Sequence, residues 1–398
     1  MNDLQRVVAS HHGIDAWVLY DFRKSNPLAW HMIGLDVDAH CTRRWLVVIP
    51  AHGRVHKIVH KLETHTLAHI DALEHTYATY EEYDTVLRTV LGSYATIAME
   101  YSPMNALPVT SYVDAGTVDH LRSLGLNVVS SADLAQQFTA VLTDQQRAGA
   151  ALAGGELREV IMEAFRLIAT RLLDDEPVSE LEVQQFILQQ FDARGMVTDA
   201  APIVAIGPNA ANPHYAPSYT QYSMIEREMV VLIDAWAKYQ SPGSVYADLT
   251  WVGYTGEIVP DDVASEFDVI VRARDAALQL VRDRYAAGES VAGYEVDRAA
   301  RTVVHDAGFD AYFIHRTGHN ITTVTHGPGT NMDDYETHDT RLVLPGTSFS
   351  IEPGIYMPGH IGLRTEIDVI IHTDGIVDVP SSPLQTHILP LLAPEWDA

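Results

Sequence analysis

The chain has 398 residues, 47% hydrophobic and 20% charged, which is ordinary globular material long enough for two domains. Its 53 acidic side chains against 26 basic ones give a formal net charge of −27, which repels phosphate backbones and excludes general nucleic-acid binding. A single cysteine, Cys41, excludes an intramolecular disulfide framework and thiolate metal clusters. The absence of a membrane-length apolar run or a secretory h-region favours a cytoplasmic protein with no membrane partner.

Up to about residue 140 short strand-like runs alternate with helical ones. "DAWVLYD" (15–21), "RRWLVVIP" (43–50) and "ATIAMEY" (95–101) have the β-branched and aromatic content of strands. "EEYDTVLRTVLGS" (81–93) and "AGTVDHLRSLG" (115–125) carry helical spacing, the latter closed by Gly125. After a boundary in "QFTAVLTDQ" (137–145) the helices lengthen. One is expected over 155–175, stopping before Pro177. The next opens at a capping box of Ser179 and Glu182, lines one face with Val183, Phe186, Ile187 and Phe191, and ends at Gly195. Two more are expected over 263–287 and 294–307, closed by Gly288 and Gly308. Strand candidates lie at 202–207, 229–237, 347–356 and 362–371. The pattern is α/β up to about 140 and α+β from 145 to 398, with strands in pairs.

Acidic residues stand where acids are expensive. Asp234 interrupts the apolar run "MVVLIDAWA", Asp248 lies in "VYADLTW", Glu352 in "FSIEPG" and Glu366 in "LRTEIDVII". A buried carboxylate costs several kcal/mol unless it is paired or metal-bound. The same number of residues separates Asp234 from Asp248 and Glu352 from Glu366, with turn formers "SPGS" and "PGH" between the members of each pair. Two hairpins are expected, each placing two carboxylates on one face, where like charges need a cation or a shared proton. Four carboxylates and one imidazole suit a pair of divalent ions, Mn²⁺ first and otherwise Co²⁺ or Zn²⁺. Two such ions roughly 3.5–4 Å apart share a hydroxide and polarise a carbonyl.

Between the hairpins, "FIHRTGHNITTVTHGPG" (313–329) holds His315, His319 and His326. The first two have the spacing of the HExxH zinc helix, but Arg316 replaces the Glu, and Gly318 with the β-branched run after it is incompatible with a helix.

In order along the chain, "LIDAWA", "YADLT", "HRTGH", "SIEPG" and "LRTE" resemble the metal motifs of the pita-bread metallopeptidases, which include Xaa-Pro aminopeptidases, prolidases and methionine aminopeptidases, with creatinase as a metal-free relative. The resemblance covers about residues 145–390. With the preceding α/β region, it is similar to the Xaa-Pro aminopeptidase, prolidase and creatinase branch. It implies a creatinase-like amino-terminal domain (1–140) and a pita-bread catalytic domain (145–398). It also implies two divalent ions on Asp234, Asp248, His319, Glu352 and Glu366, a short peptide substrate with proline in second place, and a homodimer.

Residue by residue, the resemblance makes Glu352 both a ligand and the acceptor of the attacking water's proton. His214, in "IGPNAANPHYAP", and His326 would stabilise the tetrahedral intermediate, with His315 beside the substrate. Arg364 would hold a ligand carboxylate. The chain departs from the family pattern at Trp236, Trp251, Thr322 and Gly327 and in the longer stretch between the two aspartates. A catalytically silent or metal-free, creatinase-like protein binding a small amide is the alternative reading.

Overall fold

A strand covered on both faces reads as a nearly unbroken apolar run, and such strands set the frame of this chain. The computed structural model describes residues 1–36, 38–394 and 396; the expected end of the second domain at 398 lies outside the described residues. The chain divides into two compact units, Met1–Phe138 and Thr139–Ala398.

The first unit contains β1 (Ala16–Asp21), β2 (Trp45–Pro50), β3 (His56–His60), β4 (Leu73–Tyr77), β5 (Thr96–Met99) and β6 (Asn127–Ser130). They form one mixed sheet in the order β4-β3-β2-β1-β5-β6. Helices α1 (Asn2–Ser10), α2 (Pro27–Met32), α3 (Tyr80–Leu91), α4 (Ala115–Ser123) and α5 (Ala132–Thr139) accompany it. Alternate residues of β1 enter opposite cores, Trp17 and Leu19 on one face and Ala16, Val18 and Tyr20 on the other. The buried Glu100 is fully employed there. It accepts hydrogen bonds from Trp17 Nε1 (2.6 Å), Asn26 Nδ2 (2.8 Å) and Ser131 Oγ (3.0 Å).

The second unit begins with α6 (Asp144–Leu173) and α7 (Glu180–Ala193). The first of these starts earlier than the expected 155. Thr143 and Gln146 make a capping box at the expected domain boundary, and the helix runs through Gly149, Gly154 and Gly155 because tertiary packing outweighs their low propensity. Strands β7 (Met196–Val197), β8 (Ile203–Ile206), β9 (Val230–Tyr239) and β10 (Ala247–Tyr254) follow, then α8 (Asp261–Ala287) and α9 (Gly293–Asp306). The left-handed Gly288 (φ +70°) caps α8. After β11 (Asn320–Ile321) come β12 (Ser348–Ile351), β13 (Gly354–Met357), β14 (Ile361–Arg364), β15 (Ile367–Ile371), β16 (Val377–Asp378) and β17 (Leu389–Pro390). Among the described residues no helix is long and apolar enough to cross a membrane.

Strands β9 and β10 pair antiparallel in the register Asp234↔Thr250 and Trp236↔Asp248. Val231, Ile233, Ala235, Leu249 and Trp251 pack in one core with residues of α6 and α7. Val230, Leu232 and Val252 pack in the other, with residues of α8 and α9. By the two-residue period, Asp234 and Asp248 share the second face as diagonal neighbours.

The segments expected as single strands over 347–356 and 362–371 are each broken in two. One register runs through both halves, Ile351↔Ile367 in the pair β12–β15 and Gly354↔Arg364 in the pair β13–β14. Pro353 has no N–H to give to a ladder, so pairing stops there and the hairpin passes from a four-stranded sheet to a two-stranded one. Glu352 and Glu366 face each other across that break. Their N–H groups go instead to Thr317 O (2.7 Å) and Thr250 O (3.2 Å).

The loop after β8 is tied to α7 chiefly by Glu180, with Gln184 Nε2 donating to Pro217 O (3.1 Å) beside it. Glu180 is fully buried and accepts from Ile206 N–H (2.9 Å), Asn209 Nδ2 (2.9 Å), Tyr215 O–H (2.5 Å) and Ser223 N–H (2.8 Å). His214 sits between these fastenings. Glu180→Ala leaves several buried donors unpaired and is expected to cost about 3 kcal/mol or more. Thermal unfolding followed by circular dichroism should show a midpoint lower by roughly 5–10 °C. An unchanged midpoint would show that the loop is held by other means.

Candidate metal centre and active-site cavity

Local sequence delivers each acid or imidazole to one place. His319 lies immediately before β11. Its N–H donates to Ser350 Oγ (3.1 Å), and its carbonyl accepts from Ser350 N–H (2.9 Å). The approach is so close that a Cβ on Gly318 would stand 2.0 Å from Ser350 O, so only glycine fits before the imidazole. His326 is brought back to His319 by Asn320, whose Oδ1 accepts from Gly329 N–H (2.9 Å) and whose Nδ2 donates to Ser348 O (2.9 Å). The two imidazole centroids are 4.2 Å apart.

All nine residues singled out from the sequence, His214, Asp234, Asp248, His315, His319, His326, Glu352, Arg364 and Glu366, line one cavity of about 840 Å³. Asp248, His319 and Glu366 offer ligand atoms within 4.8 Å of one another. His319 Nε2 is 3.6 Å from Asp248 Oδ2 and 3.5 Å from Glu352 Oε1. Among the described residues, Asp234 Oδ1 is buried without a hydrogen-bond partner. An orphaned carboxylate oxygen, next to acids and an imidazole with converging lone pairs, is what a hard to borderline divalent cation requires, and the residues present fit such ions.

Electrostatics point the same way. Burial, and then the carboxylates of Glu366 and Asp234, hold the Asp248 carboxyl well above the usual range. Burial, and then Glu352 and Asp234, do the same to Glu366. Burial raises Asp234 against the pull of the Arg364 guanidinium and pushes Glu352 up to about 7. His319 is held well below the ordinary imidazole value, chiefly by burial, so it stays neutral and able to donate a lone pair.

Arg364 is locked by its surroundings. It pairs with Asp234, donates Nε to Thr250 Oγ1 (3.0 Å) and Nη1 to the Tyr356 hydroxyl oxygen (3.0 Å). Thr250 in turn donates to Glu366 Oε2 (2.7 Å). His315, expected beside the substrate, has both its nitrogens engaged. Nδ1 faces the Arg316 carbonyl (2.6 Å), which only accepts, so Nδ1 carries the proton and Nε2 accepts from Tyr356 O–H (2.8 Å). Burial pushes the His315 pKa down to about 3, and its place is in the wall. His214, by contrast, is exposed at the mouth.

The sequence reading passed over Thr250, Tyr356 and Asp368. Asp368 accepts the Asp248 N–H at 2.9 Å, and burial pushes it up to about 8. Thr250 and Asp368 each stand two residues beyond an acid on a strand, so the two-residue period was the signal for them; Tyr356 gave none. Trp236, the cross-strand partner of Asp248, donates Nε1 to Asp199 Oδ1 (2.7 Å), and both line the cavity.

Residues 149–373 match the model of metallopeptidase family M24. The chain is 37% identical over 215 residues to a probable dipeptidase PepE of Mycobacterium tuberculosis (54% of this chain, 52% of that protein). It is 30% identical over 240 residues to an Xaa-Pro dipeptidase of Lactobacillus delbrueckii subsp. lactis (60% of this chain, 59% of that protein). It thus spans about half the length of the curated relatives it matches. The solved structure of dipeptidase PepE from Mycobacterium ulcerans superposes with a TM-score of 0.66 at 26% identity, over 98% of this chain and 97% of that one. An Xaa-Pro dipeptidase from Bacillus anthracis has the same fold, with a TM-score of 0.58 at 20% identity over 98% and 99% of the two chains.

The raised carboxyls give a test that needs no substrate. A folded-state pKa of about 7 for Glu352, against an ordinary 4.5, favours the protonated form in the folded chain. The stability this contributes is full below the ordinary value and is lost as pH rises through about 7. Chelated protein should therefore melt at a lower temperature at pH 8 than at pH 5.5. Added Mn²⁺ should raise the midpoint more at pH 8, by roughly 5 °C. Calorimetry showing equal metal stabilisation at both pH values would contradict a repulsive carboxylate cluster.

Proposed function

The chain belongs to metallopeptidase family M24, and we propose that it is a metal-dependent peptidase removing the amino-terminal residue from Xaa-Pro dipeptides or short Xaa-Pro peptides. The observation that carries this is the convergence of Asp248, His319 and Glu366 within 4.8 Å at a cavity that also holds Asp234 and Glu352. In this reading those five residues hold two divalent ions, Mn²⁺ being the best match to a carboxylate-rich set. Bound there, such ions supply Lewis-acid polarisation of the scissile carbonyl and a water acidic enough to attack it near neutral pH. The unpartnered Asp234 Oδ1 favours this over the metal-free alternative.

The chain's own groups then have distinct tasks. Glu352 takes a proton from the attacking water and returns it to the prolyl nitrogen as the C–N bond breaks. His326 and His214 donate hydrogen bonds to the oxygen that gains charge in the tetrahedral intermediate. Arg364 fixes the Asp234 carboxylate, and Tyr356 links it to the wall histidine His315. The Xaa-Pro preference is supported by the activity named for one relative, the Xaa-Pro dipeptidase of Lactobacillus delbrueckii subsp. lactis. A homodimer belongs to the same proposal and is carried by the motif resemblance alone; a cytoplasmic location is carried by the composition and the single cysteine.

Metal analysis and a peptide assay on one sample test it. The expected outcome is bound divalent metal and hydrolysis of Xaa-Pro peptides that chelation abolishes. Glu352→Gln should lower kcat by about 10²- to 10⁴-fold. Metal-loaded protein that cleaves no Xaa-Pro peptide would sink the proposal.

A further inference from the structure

The cavity walls are rich in carboxylates and contain two guanidinium groups, those of Arg316 and Arg364. The second is consumed by Asp234, Thr250 and Tyr356. Arg316 differs. Its backbone N–H donates to Glu336 Oε1 (3.2 Å), while among the described residues its guanidinium has neither a hydrogen bond nor an ion pair. In a chain with twice as many acids as bases, a half-buried arginine left without a carboxylate is unusual. Its charge is directed at the site. Arg316 lines the same cavity as His319, His326 and Glu352.

We propose that Arg316 is the carboxylate anchor of this cavity and that the carboxylate it takes is the free C-terminus of a dipeptide. This rests on the peptidase reading above and specifies it, since it makes the chain a dipeptidase rather than an enzyme for longer peptides. A guanidinium offers five donors in a planar fork that matches a carboxylate. In a dipeptide the C-terminal carboxylate lies only one residue, about 3.8 Å of chain, beyond the scissile amide, within the reach of one cavity. In a longer peptide that position is an uncharged amide, and the Arg316 fork is left unpaired.

The same chemistry is offered by an acidic side chain on the first residue, and the test separates the two sources. Steady-state kinetics of metal-loaded wild type, Arg316→Gln and Arg316→Lys are compared on Ala-Pro, Ala-Pro-amide, Glu-Pro-amide and Gln-Pro-amide, with thermal unfolding to verify each variant's fold. For wild type, KM for Ala-Pro-amide should exceed that for Ala-Pro by about ten- to a hundredfold, the value of a charge-assisted hydrogen bond. Arg316→Gln should bring that ratio close to unity and Arg316→Lys should keep part of it. A wild-type ratio near unity, or one that Arg316→Gln leaves intact, overturns the proposal. A preference for Glu-Pro-amide over Gln-Pro-amide that Arg316→Gln alone removes overturns the C-terminal assignment. If wild type cleaves none of the four, calorimetric binding of Ala-Pro and its amide decides. Tighter binding of the acid, lost in Arg316→Gln, keeps the anchor while the peptidase reading falls; equal binding removes the anchor as well.

Discussion

Four carboxylates gathered around one imidazole, away from water, are the constraint that the rest of the second unit serves. Left alone, Asp234, Asp248, Glu352 and Glu366 repel one another in a poorly polarisable interior, and burial raises the pKa of each. Such a cluster persists only where the backbone carrying it is over-determined. Here β9 and β10 are covered on both faces by apolar cores, so Asp234 and Asp248 cannot turn outward without dragging Val231 and Ile233, or Leu249 and Trp251, out of theirs. Hydrophobic burial along the strands opposes the electrostatic cost at the centre.

The second pair of acids is placed by a different device. Glu352 and Glu366 occupy the step where a single hairpin changes sheets at Pro353, so neither spends its N–H on a ladder. Those two N–H groups reach across to Thr317, in the histidine loop, and to Thr250, in the first hairpin. The break in one element thus becomes the connection among three. A continuous hairpin would have kept both N–H groups for its own ladder.

Around the acids, polar side chains form a framework with little slack. Arg364 ties Asp234 to Thr250 and Tyr356, the Arg316 carbonyl fixes the tautomer of His315, and Asp368 holds the Asp248 backbone. Groups so occupied orient other groups, and the ones left with free donors or lone pairs are those with work to do on a ligand. By that criterion His315 belongs to the scaffold, while Asp234 Oδ1, Glu352 and the Arg316 guanidinium face the cavity. The acid–base assignment and the specificity proposal both follow from which atoms remain unsatisfied.

Much of this was legible in the chain as written. Acids inside apolar strands and equal spacings across turn formers were enough to single out the four carboxylates, while the family resemblance supplied the histidines and Arg364 that line the same cavity. They sufficed because strand periodicity and turn chemistry are local, and a carboxylate inside a buried run has few physical excuses. The capping box at Thr143 was present too but hidden by the glycines after it, which helix packing overrode. What only the tertiary structure decided were relations between residues distant in sequence. These include the step of the second hairpin between sheets, the engagement of both His315 nitrogens, the pairing of Arg364 with Asp234, and an Arg316 guanidinium left, among the described residues, with no acid of its own. Such relations depend on which partner arrives first at each donor and acceptor in a packed interior, and that competition is settled in three dimensions.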